Sequence, residues 1–347
     1  MVPRYPLGTA SRKSLAERLV FAMHQPIRIL KENRIGQVLQ PPLIPCQRNI
    51  PAVNIARGCS FSCVYCYARG YSNAPRKDEV YVYSNLAEKL IQELENPRRR
   101  KPWPRYVSLN TSTDSFQPYE EVLAISWQVM QLLLQRNIGI SLLTKGEIPP
   151  EFITLFQRSK ERVAVAIGLV SLSEAFKTRY EPGAASINDR LDTIARLTRA
   201  GINVRVRLDP LIPGINDTPA EIRDLFQELS CRGVNTVSVS YLMMRPGIMG
   251  RIKRELPAVH YQLLEGYFQY RPRSFIAASQ NTQLIAPVLR LRRYEEIKAL
   301  AVEHQLKVLI CSCKNPGLAA DLCSQPEQEF LSATRPSNNT RQLSLFK

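Results

Sequence analysis

The sequence predicts an α/β fold built on a parallel β-sheet. Six short apolar runs, rich in β-branched residues, alternate with segments of helical periodicity. This alternation fits an open doubly wound sheet or a barrel, and periodicity alone does not choose between them. In both architectures, functional residues gather at the carboxyl ends of the strands. The predicted strands are Val53–Arg57, Tyr106–Asn110, Ile138–Leu143, Val163–Leu169, Asn203–Leu208 and Val234–Ser240.

The helices between these strands show apolar faces and clear start signals. Ser186 and Asp189 have the spacing of a capping box, in which each side chain bonds the backbone N–H of the other residue. Thr218 and Glu221 form a second such pair, with Pro219 at the first helical position. Apolar residues recur at helical spacing in two places: Leu86, Leu90, Ile91 and Leu94, and Ile187, Leu191, Ile194 and Leu197.

The length of 347 residues and the apolar content of 44% predict one large domain with additions at its ends. We expect a basic leader over 1–45, a core over 46–265, a C-terminal extension over 266–324 and a mobile tail over 325–347. No run approaches the ~18 apolar residues of a membrane span, and the first residues lack a hydrophobic signal core. We therefore expect a soluble, cytoplasmic protein.

The net charge of +17 is concentrated in three segments. Lys and Arg outnumber acids eight to two in 1–48, five to none in 98–105 and nine to two in 243–293, so the rest of the chain is nearly neutral. This distribution is typical of a face that binds a polyanion such as nucleic acid. Solvated surface charge is the alternative, because no base-reading motif accompanies the basic residues.

Three of the eight cysteines have diagnostic spacing. Cys59, Cys63 and Cys66 follow a predicted strand in a C-x3-C-x2-C pattern, which can ligate three irons of a [4Fe–4S] cluster and leave the fourth iron open. A structural zinc site would normally need a fourth ligand, and no histidine lies nearby in the sequence.

This segment resembles the radical S-adenosylmethionine superfamily. The resemblance implies a (β/α)6 partial TIM barrel in which the open iron binds the amino and carboxylate groups of S-adenosylmethionine. It also implies that an electron from a reductant such as flavodoxin or ferredoxin cleaves the cofactor. The resulting 5′-deoxyadenosyl radical then abstracts hydrogen from a substrate.

Further motifs resemble the spore photoproduct lyase-like branch, often described as DNA repair photolyase-related. They are the segments Asn110–Pro118, Leu143–Lys145, Tyr180–Pro182 with Arg190-Leu191, and Pro210–Asp217. The resemblance covers about residues 50–245 of this sequence, so the core carries it and the ends do not.

The branch resemblance implies roles for individual residues. The segment Thr111, Ser112, Thr113 and Asp114 stands where other radical enzymes contact the amino group of the cofactor, and Thr113 matches a position that contacts S-adenosylmethionine in the lyase. Lys145 matches another such position and is a suitable partner for the cofactor carboxylate. A surface lysine at a strand end is the alternative for Lys145.

Tyr65 and Tyr67 match tyrosines that serve in hydrogen transfer in the lyase, although an aromatic residue before the last cysteine can also simply shield the cluster. Thr111 is a departure from the family, because the lyase has a hydrogen-donating cysteine there. A hydroxyl is a poor hydrogen-atom donor compared with a thiol. We therefore expect a substrate other than spore photoproduct.

A second group of cysteines lies near the C-terminus. Cys311, Cys313 and Cys323 form a C-x-C-x9-C pattern after the strand-like run Lys307–Ile310. Three thiolates could hold an auxiliary Fe–S cluster or zinc, completed by Cys46 or Cys231. Ordinary buried or free cysteines are the alternative.

The end of the chain reads Gln342-Leu-Ser-Leu-Phe346 and resembles the pentapeptide by which bacterial DNA enzymes bind the replication sliding clamp. A mobile tail with two leucines and a phenylalanine suits a hydrophobic groove, although short motifs also arise by chance.

The sequence thus favours a radical S-adenosylmethionine enzyme that repairs or modifies nucleic acid. A radical enzyme acting on a peptide or small metabolite is the first alternative. A non-catalytic Fe–S or zinc protein that binds nucleic acid is the second.

Overall fold

A computed structural model of the chain describes residues 26–41, 50–98, 102–269, 271, 273–276 and 279–318. Its strands are β1 Arg28–Glu32, β2 Ala52–Val53, β3 Ala56–Arg57, β4 Glu79–Tyr83, β5 Tyr106–Leu109, β6 Gly139–Thr144, β7 Val163–Gly168, β8 Asn203–Leu211, β9 Thr236–Tyr241, β10 Ser274–Ile276, β11 Ser279–Thr282 and β12 Lys307–Ile310. Its α-helices are α1 Leu86–Leu94, α2 Glu120–Gln135, α3 Pro150–Gln157, α4 Glu174–Tyr180, α5 Ile187–Arg199, α6 Pro219–Cys231, α7 Ile248–Glu255, α8 Ala258–Phe268 and α9 Pro287–Glu303.

The main sheet has seven strands in the order β12-β9-β8-β7-β6-β5-β2, and every neighbouring pair is parallel. From β2 to β9 the spatial order follows the chain order without a reversal, whereas a doubly wound sheet reverses at a switch point. The predicted partial barrel is confirmed. The strand β12 extends it by one, because α9 returns the chain to the free edge of β9.

The strands are buried because helices cover the sheet. All six residues of β7 except Ala166 are buried, as are three of the four residues of β5. Continuous burial of this kind is typical of parallel strands, whose apolar runs do not alternate with polar residues. It explains why strands such as β5 and β7 could be recognised as short apolar runs.

The predicted strand Val53–Arg57 is wrong as a single element. Ala52–Val53 pairs with β5 in the main sheet, whereas Ala56–Arg57 pairs antiparallel with β4 in a separate three-stranded sheet of order β1-β4-β3. The chain changes sheets at Asn54 and Ile55. The backbone N–H of Ile55 is satisfied there by the side-chain oxygen of Asn110, at 3.0 Å.

Both predicted N-caps are present, but the capping box predicted for Thr218 and Glu221 is only half formed, because the Glu221 carboxylate accepts from the Thr218 hydroxyl and not from the Thr218 N–H. The Ser186 hydroxyl accepts from the backbone N–H of Asp189, and the Asp189 carboxylate accepts from that of Ser186, so a complete capping box begins α5. The Thr218 hydroxyl accepts from the N–H of Glu221 at the start of α6, where Pro219 occupies the first turn. No helix in the described part of the chain is both long and apolar enough to cross a bilayer.

Replacing Ser186 by alanine removes one half of the capping box and leaves a helix N–H without its partner. We expect Ser186→Ala to lower the free energy of unfolding by about 1 kcal/mol, measured by urea denaturation. Ser159→Ala is the matched control, because Ser159 caps a short 3-10 helix without any side-chain cap bond. Equal effects of the two substitutions would contradict the role of the box.

Candidate active site

Gly58–Cys66, called here the cysteine loop, follows β3 directly. Gly58 adopts a φ of 93°, and a Cβ at this position would lie 2.7 Å from both the Glu79 carbonyl oxygen and Pro75 Cγ. Glycine is therefore required where the chain leaves β3. The loop begins at the carboxyl edge of the main sheet, beside the end of β2.

Residues that follow β5 hold the first half of the cysteine loop. The Thr113 hydroxyl donates to the carbonyl oxygen of Gly58, and the N–H of Ser60 donates to Gln117 Oε1 at 2.7 Å. The amide of Gln117 in turn donates to the Thr113 hydroxyl at 3.2 Å. The predicted residue Thr113 is thus in direct contact with the loop.

Two arginines hold the second half, one remote in the sequence and the other only three residues after the loop. Arg251, on α7, donates to the carbonyl oxygens of Val64 at 3.2 Å and of Cys66. Arg69 donates to the Cys63 carbonyl at 3.3 Å and forms an ion pair with Glu255 at 2.9 Å. No motif in the sequence pointed to Arg251, because its role depends on a contact across 185 residues.

The thiols of Cys59, Cys63 and Cys66 are free and partly buried. They lie close enough that a charge on Cys63 or Cys66 acts on Cys59. Burial, and secondarily Asp114, raises the pKa of the Cys59 thiol, and burial with Glu181 raises that of Cys63. Such thiols become thiolates only when a cation compensates them, as the irons of a cluster would.

The three thiols supply donors of the kind that an Fe–S cluster requires. In the described part of the chain, no three His, Cys, Asp or Glu side chains are grouped as they would be around one metal ion. The three cysteines have the donor type and number for a [4Fe–4S] cluster with one open iron.

The predicted segment Thr111–Asp114 lies beside the cysteine loop, but Asp114 points inward. Its carboxylate accepts from the Thr144 hydroxyl at 2.6 Å, from the N–H of Phe116 at 2.9 Å and from the N–H of Lys145 at 3.1 Å. Burial raises the pKa of Asp114 to about 6 despite these donors. Asp114 therefore ties the end of β5 to the end of β6, and a direct contact with a cofactor stays a prediction.

The backbone of Ser112 is bound by Asn54, the residue that follows β2. Its N–H donates to Asn54 Oδ1 at 2.9 Å, and Asn54 Nδ2 donates to the Thr111 hydroxyl at 3.4 Å. The chain leaves the main sheet at Asn54. The side chain of this residue therefore connects the end of β2 to the predicted cofactor-binding segment Thr111–Asp114.

The ammonium of Lys145 belongs to a buried charge network centred on Glu181. Lys145 Nζ lies 3.7 Å from one Glu181 carboxylate oxygen, and the other oxygen accepts from Arg190 at 2.7 Å. Glu181 and Arg190 are each 1% exposed, and the Lys145 side chain is 13% exposed. Although burial alone would raise the pKa of Glu181, Lys145 and Arg190 hold it below its ordinary value.

Space for Lys145 depends on the end of β7. A Cβ at Gly168 would lie 2.8 Å from Lys145 Nζ, so any larger residue would displace the ammonium. Glu181 and Arg190 both belong to motifs recognised in the sequence, but the sequence assigned no role to either. Only the tertiary structure shows that the Glu181 carboxylate pairs with Lys145 and Arg190.

Tyr65 and Tyr67 lie in different environments. The Tyr65 hydroxyl donates to the buried Glu181 carboxylate, and burial followed by Glu181 raises its pKa. The Tyr67 hydroxyl donates to the carbonyl oxygen of Thr111, while the residue as a whole remains 38% exposed. Of the two predicted hydrogen-transfer residues, Tyr67 is the more exposed.

The second cysteine group is only partly described. Cys311 and Cys313 follow β12, and their sulfurs are 2.6 Å apart. Lys314 forms an ion pair with Asp209 of β8, which places this turn at the carboxyl edge of the sheet. Cys231 cannot complete a site there, because it precedes β9 and lies at the opposite edge.

Several predictions lie outside the described residues. They concern Cys46, Cys323, the tail over 325–347 with its sliding-clamp motif, residues 1–25 and 42–45 of the predicted leader over 1–45, and residues 99–101 of the basic run 98–105. The auxiliary metal site thus remains a prediction that rests on the C-x-C spacing alone.

Comparison with known proteins identifies the family. The model of the radical SAM superfamily matches residues 53–229, which is half of the chain. An uncharacterised protein of Mycobacterium tuberculosis is 28% identical over 251 residues, covering 68% of this chain and 73% of that protein. A radical SAM Nalpha-GlyT isomerase of Pseudomonas phage M6 is 29% identical over 185 residues, covering 53% of this chain but only 37% of the isomerase.

Solved structures show the same fold. A mutant of spore photoproduct lyase superposes with a TM-score of 0.65 at 15% identity, with 88% of each chain covered. Another lyase mutant, with bound AdoMet and dinucleoside spore photoproduct, gives a TM-score of 0.63 at 14% identity and covers 88% of this chain and 87% of that chain. With its cysteine loop at the carboxyl edge of a partial barrel, this chain belongs to the radical SAM superfamily and has the fold of spore photoproduct lyase.

Proposed function

We propose that this protein is a radical S-adenosylmethionine enzyme that repairs or modifies nucleic acid. The observation that carries the chemistry is the convergence of three free thiols with the Lys145–Glu181 pair at one edge of the sheet. When bound there, the [4Fe–4S] cluster and S-adenosylmethionine supply the one-electron chemistry that abstracts hydrogen from a substrate. A reductant such as flavodoxin or ferredoxin provides the electron.

The protein's own residues bind and orient these groups. Cys59, Cys63 and Cys66 hold the cluster, and Lys145 receives the cofactor carboxylate. Glu181 is a positioning residue, because its ion pair keeps the Lys145 ammonium near the cysteine loop. Tyr67, which is more exposed than Tyr65, is the residue that we propose to exchange hydrogen with a substrate.

The substrate class is supported by charge. A net charge of +17, concentrated in three segments, favours a polyanion over a peptide or small metabolite. A mutant of spore photoproduct lyase, a protein of the same fold, binds a dinucleoside photoproduct. Thr111 lacks the thiol that the lyase uses at that place, so we propose a different lesion or modification.

Loss of one cluster ligand tests the chemistry. We expect Cys59→Ala to retain less than the full four irons per chain after anaerobic reconstitution and to release no 5′-deoxyadenosine with S-adenosylmethionine and dithionite. Iron analysis and mass spectrometry measure the two results. Cys231→Ala, which removes an exposed thiol at the opposite edge, is the control and should match the wild type. Full iron loading and cofactor cleavage by Cys59→Ala would refute the assignment.

Removal of the buried carboxylate tests the network. We expect Glu181→Gln to cost about 3–5 kcal/mol of unfolding free energy, because Arg190 is left buried without its anion. Adding Arg190→Met should recover part of this loss, measured by urea denaturation as a double-mutant cycle. Glu147→Gln is the control, since its ion pair with Arg196 is exposed at 3.5 Å and should change stability by less than about 0.5 kcal/mol. Strictly additive effects of the two buried substitutions would contradict the coupling.

Salt dependence tests the substrate class. We expect the affinity for a single-stranded oligonucleotide to fall steeply with salt, with a slope of log K against log[salt] of about −0.7 for each phosphate contacted. Fluorescence anisotropy of DNA and RNA oligonucleotides measures this slope. An uncharged oligonucleotide analogue of the same sequence is the control and should bind without that dependence. Salt-independent binding would favour a peptide or small metabolite as substrate.

A further inference from the structure

Two exposed tyrosines lie directly after the cysteine loop. Tyr67 is 38% exposed and Tyr71 is 42% exposed. A short 3-10 turn, Ala68–Gly70, separates them, and their ring centroids are 5.9 Å apart with planes at 64°. Exposed aromatic pairs beside an active site are typical of surfaces that contact a ligand.

An arginine completes this surface. The guanidinium carbon of Arg245 lies 4.7 Å from the centroid of the Tyr67 ring, and the charge of Arg245 also acts on the Tyr71 hydroxyl. Arg245 Nε is buried without a hydrogen-bond partner among the described residues. The backbone next to Arg245 packs against the 3-10 turn Ala68–Gly70, since a Cβ at Gly70 would lie 3.4 Å from the Pro246 carbonyl oxygen.

The surface is fixed in place from two sides. The hydroxyl of Tyr67 is anchored on the carbonyl oxygen of Thr111, at the end of β5. Arg245 lies three residues before the start of α7, whose Arg251 donates to the carbonyl oxygen of Cys66. The aromatic pair and the cation therefore keep a constant relation to the cysteine loop.

A nucleobase with its phosphate fits this chemistry. Bases stack on tyrosine rings and on guanidinium planes, and arginine pairs with phosphate oxygens. The charge of Arg245 favours an anionic ligand over a neutral peptide or an apolar metabolite.

We propose that Tyr71 and Arg245 form a subsite that stacks on one unpaired nucleobase of the substrate, next to the radical-generating site. This inference rests on the proposed function and names the form of nucleic acid that the site accepts. In a duplex, neighbouring base pairs cover both faces of a base, so only a single-stranded or extruded base can stack on a side chain. The substrate is therefore single-stranded or locally unpaired.

Paired oligonucleotides that differ only in their bases test the subsite. We compare a single-stranded oligonucleotide with a fully abasic one of equal length and charge, by fluorescence anisotropy with cluster-loaded protein. We expect the wild type to bind the base-bearing strand at least tenfold more tightly, since stacking on one base changes affinity by roughly 5- to 150-fold. Tyr71→Ala should lose most of that preference, whereas Tyr71→Phe, which keeps the ring, should retain it.

Tyr81→Ala is the matched control. Tyr81 also carries an arginine over its ring, Arg57 at 4.3 Å, but it lies on β4 of the separate three-stranded sheet. It should keep the wild-type preference. Iron content and thermal unfolding of each variant verify that the loop and the fold are intact.

The outcomes separate this inference from the proposed function. If Tyr71→Ala keeps the full preference for bases while binding remains salt-dependent, the subsite is refuted and nucleic-acid binding stands. If the wild type binds neither strand in a salt-dependent manner, the proposed substrate class itself fails. Preference for duplex over single strand in the wild type would also overturn the unpaired-base assignment.

Discussion

The buried carboxylate of Glu181 is the interaction on which the site depends. It joins three elements that are remote in sequence: Tyr65 of the cysteine loop, Lys145 after β6 and Arg190 of α5. A carboxylate removed from water is costly unless cations and donors surround it, and here two cations and a phenol do so. The same contacts that stabilise the charge fix the distance between the cysteine loop and the lysine.

The cysteine loop has little regular structure, so its shape comes from side chains that bond its backbone. Thr113 and Gln117 bind the first half, while Arg69 and Arg251 bind the second. Each donor comes from an element anchored in the main fold. A loop held in this way presents its thiols in a constant arrangement, which limits the reorganisation that cluster binding would require.

Charge is balanced in the interior of the site. There, Glu181 and Asp114 offset Lys145 and Arg190. Ion pairs in the interior act at low dielectric and maintain geometry. Outside this network, the guanidinium of Arg245 lies over the ring of Tyr67.

The sequence by itself determined the parallel arrangement, five of the six predicted strands and the N-cap residues of two helices, and it predicted the cluster ligands. These features are encoded locally, in the spacing of Cys59 to Cys66, in β-branched runs and in the Ser186–Asp189 pair. Only the tertiary structure decided that the chain changes sheets at Asn54, that β12 joins the main sheet and that Tyr65 and Tyr67 face different environments. Those outcomes depend on strand pairing and on contacts across tens to hundreds of residues, which residue spacing along the chain does not specify.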